Sequence, residues 1–477
     1  MKKLLILLSI LIGITACSDI LEEEPKAVAI ENFYNSASEI ESAVLSIYSP
    51  ISNNNTFGAM YIAQMEAQSD YGYGRGSYAP VSEFQGLDAT NIGRVADFWS
   101  SFYRSIRNAN LVIKNAPDAI DVNESTLNEL IGEAKFLRAL CYFHLVRNWG
   151  DIPLRNESNM LELELARTPA SEIYSFIIQD LEFAENHMVE SESVPGRATK
   201  WAAKTLLTEV YLQLERWQDA RNKALEVINS NKYELISVDN SDDFYKIFGP
   251  DIITSKEEIF YIKYNSTQSS NLAYFIHHPG SPYFNGAGWY AHYTDSVNNK
   301  QIKDWDYNDL RKSFNLYYYD ISISPTTVLF KKYIDPERVN AGRNDYPIYR
   351  YPELLLFYAE AECRMNNGPT AEAMEKLNMV HRRGYGKNPY ANSNVDYDIN
   401  NYNMESFIDL IFQEKMYETI WEGKRWLDLK RIGKVKETIM EAYGINVADK
   451  HLWWPIPENE FEYNDAIDPE KDQNFGY

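Results

Sequence analysis

Between Asn123 and Asn148 the residues Leu127, Leu130, Ile131, Ala134, Leu137, Cys141 and Leu145 recur at steps of three and four. That spacing is the mark of an amphipathic helix that buries one face. Such a face needs a counterpart, so further helices are expected around it. Thr126 and Glu129 offer a capping box near its start, and Gly150 offers a stop. The next helix is announced by Thr168 as cap and Pro169 at the first helical position, and runs through Ile173, Phe176, Ile177, Leu181 and Ala184. From Lys200 onward, Leu207, Tyr211, Trp217, Ala220 and Ala224 fall on spacings that resemble a tetratricopeptide repeat, with Ala220 as the small residue that lets two helices approach. A second degenerate unit spans Glu353–Arg383 around the turn Asn367-Gly368-Pro369. Adding the pairs 36–50 with 93–115 and 124–148 with 169–188 gives four imperfect helix pairs, hence a mainly α fold whose stacked pairs share a continuous core.

The helical period fades between about 235 and 348, where Tyr, Asn, Gly, Pro and Ser dominate, as in Pro279-Gly280-Ser281-Pro282-Tyr283-Phe284-Asn285-Gly286-Ala287-Gly288-Trp289-Tyr290. A loop-rich subdomain is expected there, with short strands at Glu258–Tyr264 and Thr327–Tyr333. A similar stretch, Ser69-Asp70-Tyr71-Gly72-Tyr73-Gly74-Arg75-Gly76-Ser77-Tyr78, lies between the first two expected helices. Loops carrying aromatics on a rigid scaffold are where binding sites concentrate. The expected organisation is residues 1–16 as a leader, 17–35 as a tether, and 36–477 as one domain. In that domain the scaffold takes about 36–234 and 349–430, and the insertion about 235–348.

At the N-terminus, Lys2 and Lys3 precede an apolar run from Leu4 to Ile14, the layout of a secretory signal peptide. The run is short of the roughly 20 residues that a membrane-spanning helix needs. Ile14-Thr15-Ala16-Cys17 resembles the lipobox of bacterial lipoproteins, in which the chain is cut before the cysteine and Cys17 receives lipid. The acidic run after it, through Glu22, Glu23 and Glu24, looks like the signal by which Bacteroidetes lipoproteins reach the outer face of the outer membrane, and also reads as a solvated tether. The formal net charge is −23, and losing Lys2 and Lys3 makes it more negative still. Such a surface repels phosphate backbones, so no nucleic-acid partner is expected. Cys141 and Cys363 sit in apolar helical patterns and read as buried hydrophobes.

The helix ending Glu133-Ala134-Lys135-Phe136-Leu137-Arg138-Ala139 and then Trp149-Gly150-Asp151-Ile152-Pro153-Leu154 resembles the signature of the SusD/RagB family. The agreement continues in the family's order through Trp99…Tyr103…Ile106…Asn110, Gly196-Arg197-Ala198-Thr199-Lys200, Asp309-Leu310-Arg311, and Arg350-Tyr351-Pro352-Glu353. It closes with Trp421-Glu422-Gly423-Lys424-Arg425-Trp426-Leu427-Asp428, Pro455-Ile456-Pro457 and the terminal Gln473-Asn474-Phe475-Gly476-Tyr477. Glu414-Lys415 in place of Glu-Arg, and Phe475 in place of proline, are departures outside the expected ligand surface. The resemblance implies a SusD-like fold. It also implies a lipid-anchored outer-membrane protein facing outside, which binds oligo- or polysaccharide, or in some members peptides, and hands it to a SusC-like TonB-dependent transporter. Arg425 and Asp428 read as a structural ion pair or cap.

In glycan-binding members the ligand lies across aromatic rings, because the C–H face of a sugar packs on a ring face while hydroxyls need donors and acceptors at its edge. The matching places here are Trp99, which reads equally as core, and Trp289 and Tyr290 in the insertion. In the early loop Asp70 and Arg75 flank Tyr71 and Tyr73, where they suit either a grip on hydroxyls or a solvated glycine-rich turn; Tyr283 and Trp305 are weaker candidates. No catalytic, cofactor-binding or metal-ligating set is expected. The sequence holds no Gly-x-Ser-x-Gly, His-Glu-x-x-His or phosphate-cradling loop, and His277-His278 lacks partners at ligand spacing. A glycoside hydrolase and a tetratricopeptide adaptor for a protein partner are the competing readings.

Overall fold

The computed structural model describes residues 33–192, 194–286, 288–338 and 341–477. The leader, Cys17 and most of the tether therefore lie outside the described residues. Twelve helices of the described chain matter here. They are α1 (Ala37–Ser52), α2 (Met60–Glu66), α3 (Ala89–Asn115), α4 (Glu124–Trp149), α5 (Ala170–His187) and α6 (Lys200–Gln213). After these come α7 (Trp217–Ile228), α8 (Tyr351–Met365), α9 (Ala371–Gly384), α10 (Met404–Thr419), α11 (Arg425–Arg431) and α12 (Val435–Tyr443). None of the described helices is long and apolar enough to cross a membrane.

Consecutive long helices pack on one another: α1 on α3, α3 on α4, α4 on α5, α5 on α6, α6 on α7 and α8 on α9, while α7 also meets α8. The fold is mainly α, and the stacking is compatible with repeated helix pairs. Ala220 and Ala373 are fully buried, as small residues at close helix contacts must be. From Leu130 on, α4 is buried almost all round, wider than the one face its apolar spacing suggests. Its charged residues are accommodated by partners from neighbouring helices: Arg138 pairs with Asp180 at 2.7 Å and Arg147 with Glu209 at 2.6 Å. Two helix starts differ from expectation. Asn123, not Thr126, caps α4, its side chain accepting the Thr126 N–H. Pro169 is itself the residue before the first turn of α5, because Thr168 is engaged in strand pairing with Ile152. Gly150 ends α4 with φ of 78°, a backbone conformation that favours glycine.

The described residues also form eight short strands: β1 (Tyr73–Gly74), β2 (Ile152–Pro153), β3 (Arg167–Thr168), β4 (Glu258–Ile262), β5 (His292–Asp295), β6 (Leu316–Tyr318), β7 (Thr327–Phe330) and β8 (Tyr346–Arg350). β4 and β7 fall where short strands are expected. β4 pairs with β8, and four strands form a sheet in the order β1-β5-β7-β6, antiparallel throughout. Around β8 lies a buried ionic network. Arg350 reaches Glu418 and Glu422, each at 2.7 Å; Arg383 reaches Glu257 at 3.0 Å and Glu418 at 2.5 Å; Lys332 reaches Glu422 at 2.6 Å. All are buried, so removing one member strands the others in a low-dielectric interior.

Arg350→Ala is accordingly expected to lower stability by about 3–5 kcal/mol, read as a fall in the urea midpoint. A second outcome concerns acid. Burial works to raise the Glu209 carboxyl, yet Arg147, Lys424 and Lys415 bring it from 4.5 down to about 2. The stability carried by that charge is complete above pH 4.5 and is lost as pH falls towards 2. Across that window Glu209→Gln is expected to lose about 3 kcal/mol less than the parent protein in pH-dependent urea titrations.

Candidate functional site

Side chains directly opposite one another in a sheet share a face. In the four-stranded sheet Tyr73 stands opposite Tyr293, Tyr293 opposite Leu329, and Leu329 opposite Tyr317, so one row of that face is largely aromatic. His278 and Tyr283 lie over it: the Tyr283 ring meets Tyr317 edge-on at 5.0 Å, and the Tyr317 hydroxyl accepts the His278 N–H at 3.1 Å. A series of packed rings extends from there. Tyr319 lies on His278 with centroids 4.1 Å apart, His278 packs on Tyr290 at 4.6 Å, and the Arg75 guanidinium sits 3.8 Å from the Tyr290 ring centre.

Arg75 is also the clasp that joins the two loop regions. Its Nε donates to the carbonyl of Tyr290 and its Nη2 to that of Trp289, both at 2.8 Å, while its own N–H donates to the carbonyl of Ala291 at 2.8 Å. Tyr290 needs that clasp, since its φ of 42° lies in the left-handed region that non-glycine residues rarely occupy. Trp289 is half-buried, packed by Phe275 at 5.5 Å and by Tyr78 at 6.1 Å, and its N–H donates to the Tyr274 carbonyl at 2.6 Å. Two glycines make the approach possible. A Cβ at Gly288 would stand 2.1 Å from the His277 carbonyl oxygen, and one at Gly280 would stand 2.1 Å from the Tyr319 hydroxyl.

Burial, followed by the nearby Arg75 charge, lowers the pKa of His278, so the ring is neutral at physiological pH. Its Nδ1 accepts the Gly280 N–H at 3.0 Å, which leaves the hydrogen on Nε2 as a donor. The face thus offers ring surfaces with donors and acceptors at their edges, and this combination suits a flat, hydroxyl-rich ligand.

Of the sequence-predicted residues, Arg75, Trp289, Tyr290, Tyr283 and Tyr73 come together on this side of the sheet. Asp70, Tyr71 and Trp99 do not. Asp70 is fully buried, its carboxylate holding Arg425 at 2.6 and 2.9 Å. Tyr71 is buried as well, donating its hydroxyl to the Glu66 carboxylate and accepting the Trp421 N–H at 3.1 Å. Trp99 is 3% exposed, wedged between Tyr103 at 4.8 Å and Trp149 at 5.4 Å, with Nε1 donating to Glu460 at 3.3 Å. Trp305 is buried too, stacked on Tyr417 at 4.4 Å. Arg425 is structural, but its partner is Asp70, while Asp428 holds Lys415 at 2.9 Å. His278, Tyr319 and Tyr293 were not singled out from sequence. The run Tyr317-Tyr318-Tyr319 is the one local signal that points to any of them.

A family model described as starch-binding associating with outer membrane matches residues 19–212, and a model of the SusD family matches residues 276–477. A SusD-like protein of Formosa agariphila is 24% identical over 544 residues, covering 100% of this chain and 99% of its own. Among solved structures, a SusD homolog from Bacteroides thetaiotaomicron superposes with a TM-score of 0.81 at 20% identity, over 94% of this chain and 98% of that one. A laminarin-binding SusD-like protein superposes with a TM-score of 0.75 at 21% identity, over 92% and 99%. A surface glycan-binding protein A from Bacteroides fluxus does so with 0.75 at 24% identity, over 93% and 100%. The stacked helices carrying a small sheet are thus a SusD-like fold, and the family whose models match is carbohydrate-binding and associated with the outer membrane. The chain belongs to the SusD/RagB family.

The clasp is open to a direct test. Arg75→Ala is expected to speed hydrogen exchange at the Trp289 and Ala291 amides by about tenfold or more, because charge-assisted bonds to two carbonyls are lost, while global stability moves little. Amide exchange followed by mass spectrometry on the peptide spanning 286–292 checks it.

Proposed function

We propose that the protein captures an oligo- or polysaccharide at the outer surface of the outer membrane and passes it to a SusC-like TonB-dependent transporter. The observation that carries this reading is the pre-assembled series Arg75, Tyr290, His278 and Tyr319 beside the half-exposed Trp289. Sugar rings present axial C–H bonds that pack on such surfaces, and the neutral His278 Nε2–H, the tyrosine hydroxyls and the loop carbonyls are edge groups for sugar hydroxyls. Family membership and the laminarin- and glycan-binding relatives of like fold support it. Attachment to the membrane through lipid on Cys17 is part of the same proposal, and capture leaves the glycan uncleaved.

Residues 18–477 run through native gels containing laminarin, starch, xylan or galactomannan are expected to be retarded by at least one of them. Trp289→Ala is expected to abolish that retardation or weaken it about tenfold, the loss of one stacking ring. Trp99→Ala is expected to reduce stability without changing ligand preference. Retardation unchanged in Trp289→Ala removes this reading, and so does release of sugar from the retained polymer by the purified protein.

A further inference from the structure

Along the same sheet face, beyond Arg75, a second concavity opens. The Tyr73 and Tyr293 rings, 5.3 Å apart, form one wall of a cleft of about 240 Å³, whose other sides include Asn298, Ile323, Ser324 and Tyr443. Tyr73 lies two residues before Arg75 on an extended segment, so both side chains leave on one side of the sheet, and Arg75 in turn holds Tyr290. The aromatic series and this cleft therefore adjoin through a single arginine.

The cleft has unused hydrogen-bonding capacity. Among the described residues the Tyr293 hydroxyl makes no hydrogen bond, and the cleft is lined by Tyr293 itself. Asp295, by contrast, is occupied within the chain. Its carboxylate accepts the N–H groups of Val297 and Asn298 and the Thr326 hydroxyl, closing the turn that shapes the rim. The wall thus presents ring faces, with the Asp295 carboxylate held in the turn and the Glu83 carboxylate accepting the Tyr73 hydroxyl at 2.6 Å. A second cavity lies close by. Asn299 and Ala442 line it, and the next residues along the chain, Lys300 and Glu441, line a wider cavity of about 460 Å³ bounded by Tyr397, Tyr402 and Gln413.

We infer that the Tyr73–Tyr293 cleft is a second sugar subsite continuous with the aromatic series around Tyr290, so that the ligand is a stretch within a longer glycan chain rather than a single sugar or a chain end. The inference rests on the capture reading and adds the ligand's length to it. A cleft of this size is below the usual range for whole small-molecule sites, about 300–1,000 Å³, and suits one ring of a chain whose neighbouring units lie elsewhere. An open-ended track lets a polymer pass through where a closed pocket would select its terminus.

Titration calorimetry on residues 18–477 tests it, using whichever of laminarin, starch, xylan and galactomannan retards the protein, together with the trisaccharide and heptasaccharide of that polymer. The heptasaccharide is expected to bind about tenfold or more tightly than the trisaccharide. Tyr293→Ala is expected to erase that advantage, and Tyr293→Phe to retain most of it, because the ring outweighs the hydroxyl. Ile323 is 50% exposed, so Ile323→Arg obstructs the cleft at little risk to folding and is expected to act as Tyr293→Ala does. Length dependence that survives both Tyr293→Ala and Ile323→Arg overturns the second subsite and leaves the capture reading standing. Heptasaccharide binding untouched by Trp289→Ala overturns the capture reading instead, and binding of none of the four polymers overturns both.

Discussion

Three arginines buried among glutamates hold this molecule in register. Arg311, Arg350 and Arg383 converge on Glu418 of α10, and Glu257, just before β4, closes the group. Each charge alone would be strongly unfavourable in the interior, and together they are compensated only in one arrangement of the chain. That arrangement joins α9 and α10 of the helical scaffold to β8 and to the short helix carrying Arg311, so the scaffold and the sheet-bearing segment are locked by electrostatics as well as by apolar packing. Lys332, whose pKa burial brings down to about 8, extends the network to Glu422 only two residues beyond Phe330, the last residue of β7. The sheet is pinned at that end by a buried charge.

A second buried pair does the same for the early loop. Asp70 and Arg425 fasten the loop to the start of α11, and Tyr71 anchors it again on Glu66 and on the backbone of Trp421. The chain leaving these fixed points has little choice of direction before it pairs with β5. Asp70 and Tyr71 therefore serve the surface indirectly, by setting where Tyr73 and Arg75 emerge. The polar residue nearest a glycine-rich loop is inside because the loop needs a foundation.

The helical part of this architecture was legible because its determinants are local. Apolar residues three and four apart, a glycine in the left-handed region at 150 and a small residue at 220 each act within a few positions of themselves. The sheet was legible only in part. β4 and β7 announce themselves by composition, whereas β1 is two residues long and its partner β5 lies more than two hundred residues away, with no pattern in either strand to name the other. Trp99 shows a different limit. Its four-residue step to Tyr103 puts both rings on one helix face, and that spacing is the same whether the face meets solvent or, as here, Trp149 and the core. His278 was passed over because a histidine pair was weighed as a metal ligand, and the role it has depends on Tyr319 and Tyr290, which only folding brings beside it.

Arginine at position 75 has a consequence for how the surface works. A lysine there would present one point charge, but the planar guanidinium donates to two successive carbonyls and still lays its face on the Tyr290 ring. Those contacts hold Tyr290 at a positive φ that it would otherwise leave, so the strain is met during folding rather than on binding. A ligand then encounters rings already ordered, and the entropic cost of fixing loop and side chains does not reduce its affinity. The same preorganisation limits adaptation, because a face whose rings are stacked on each other cannot rearrange around differently shaped ligands. Selectivity must then come from edge groups such as the His278 Nε2–H and from the spacing between neighbouring ring surfaces, both set by the backbone of β1, β5 and the segment 277–290.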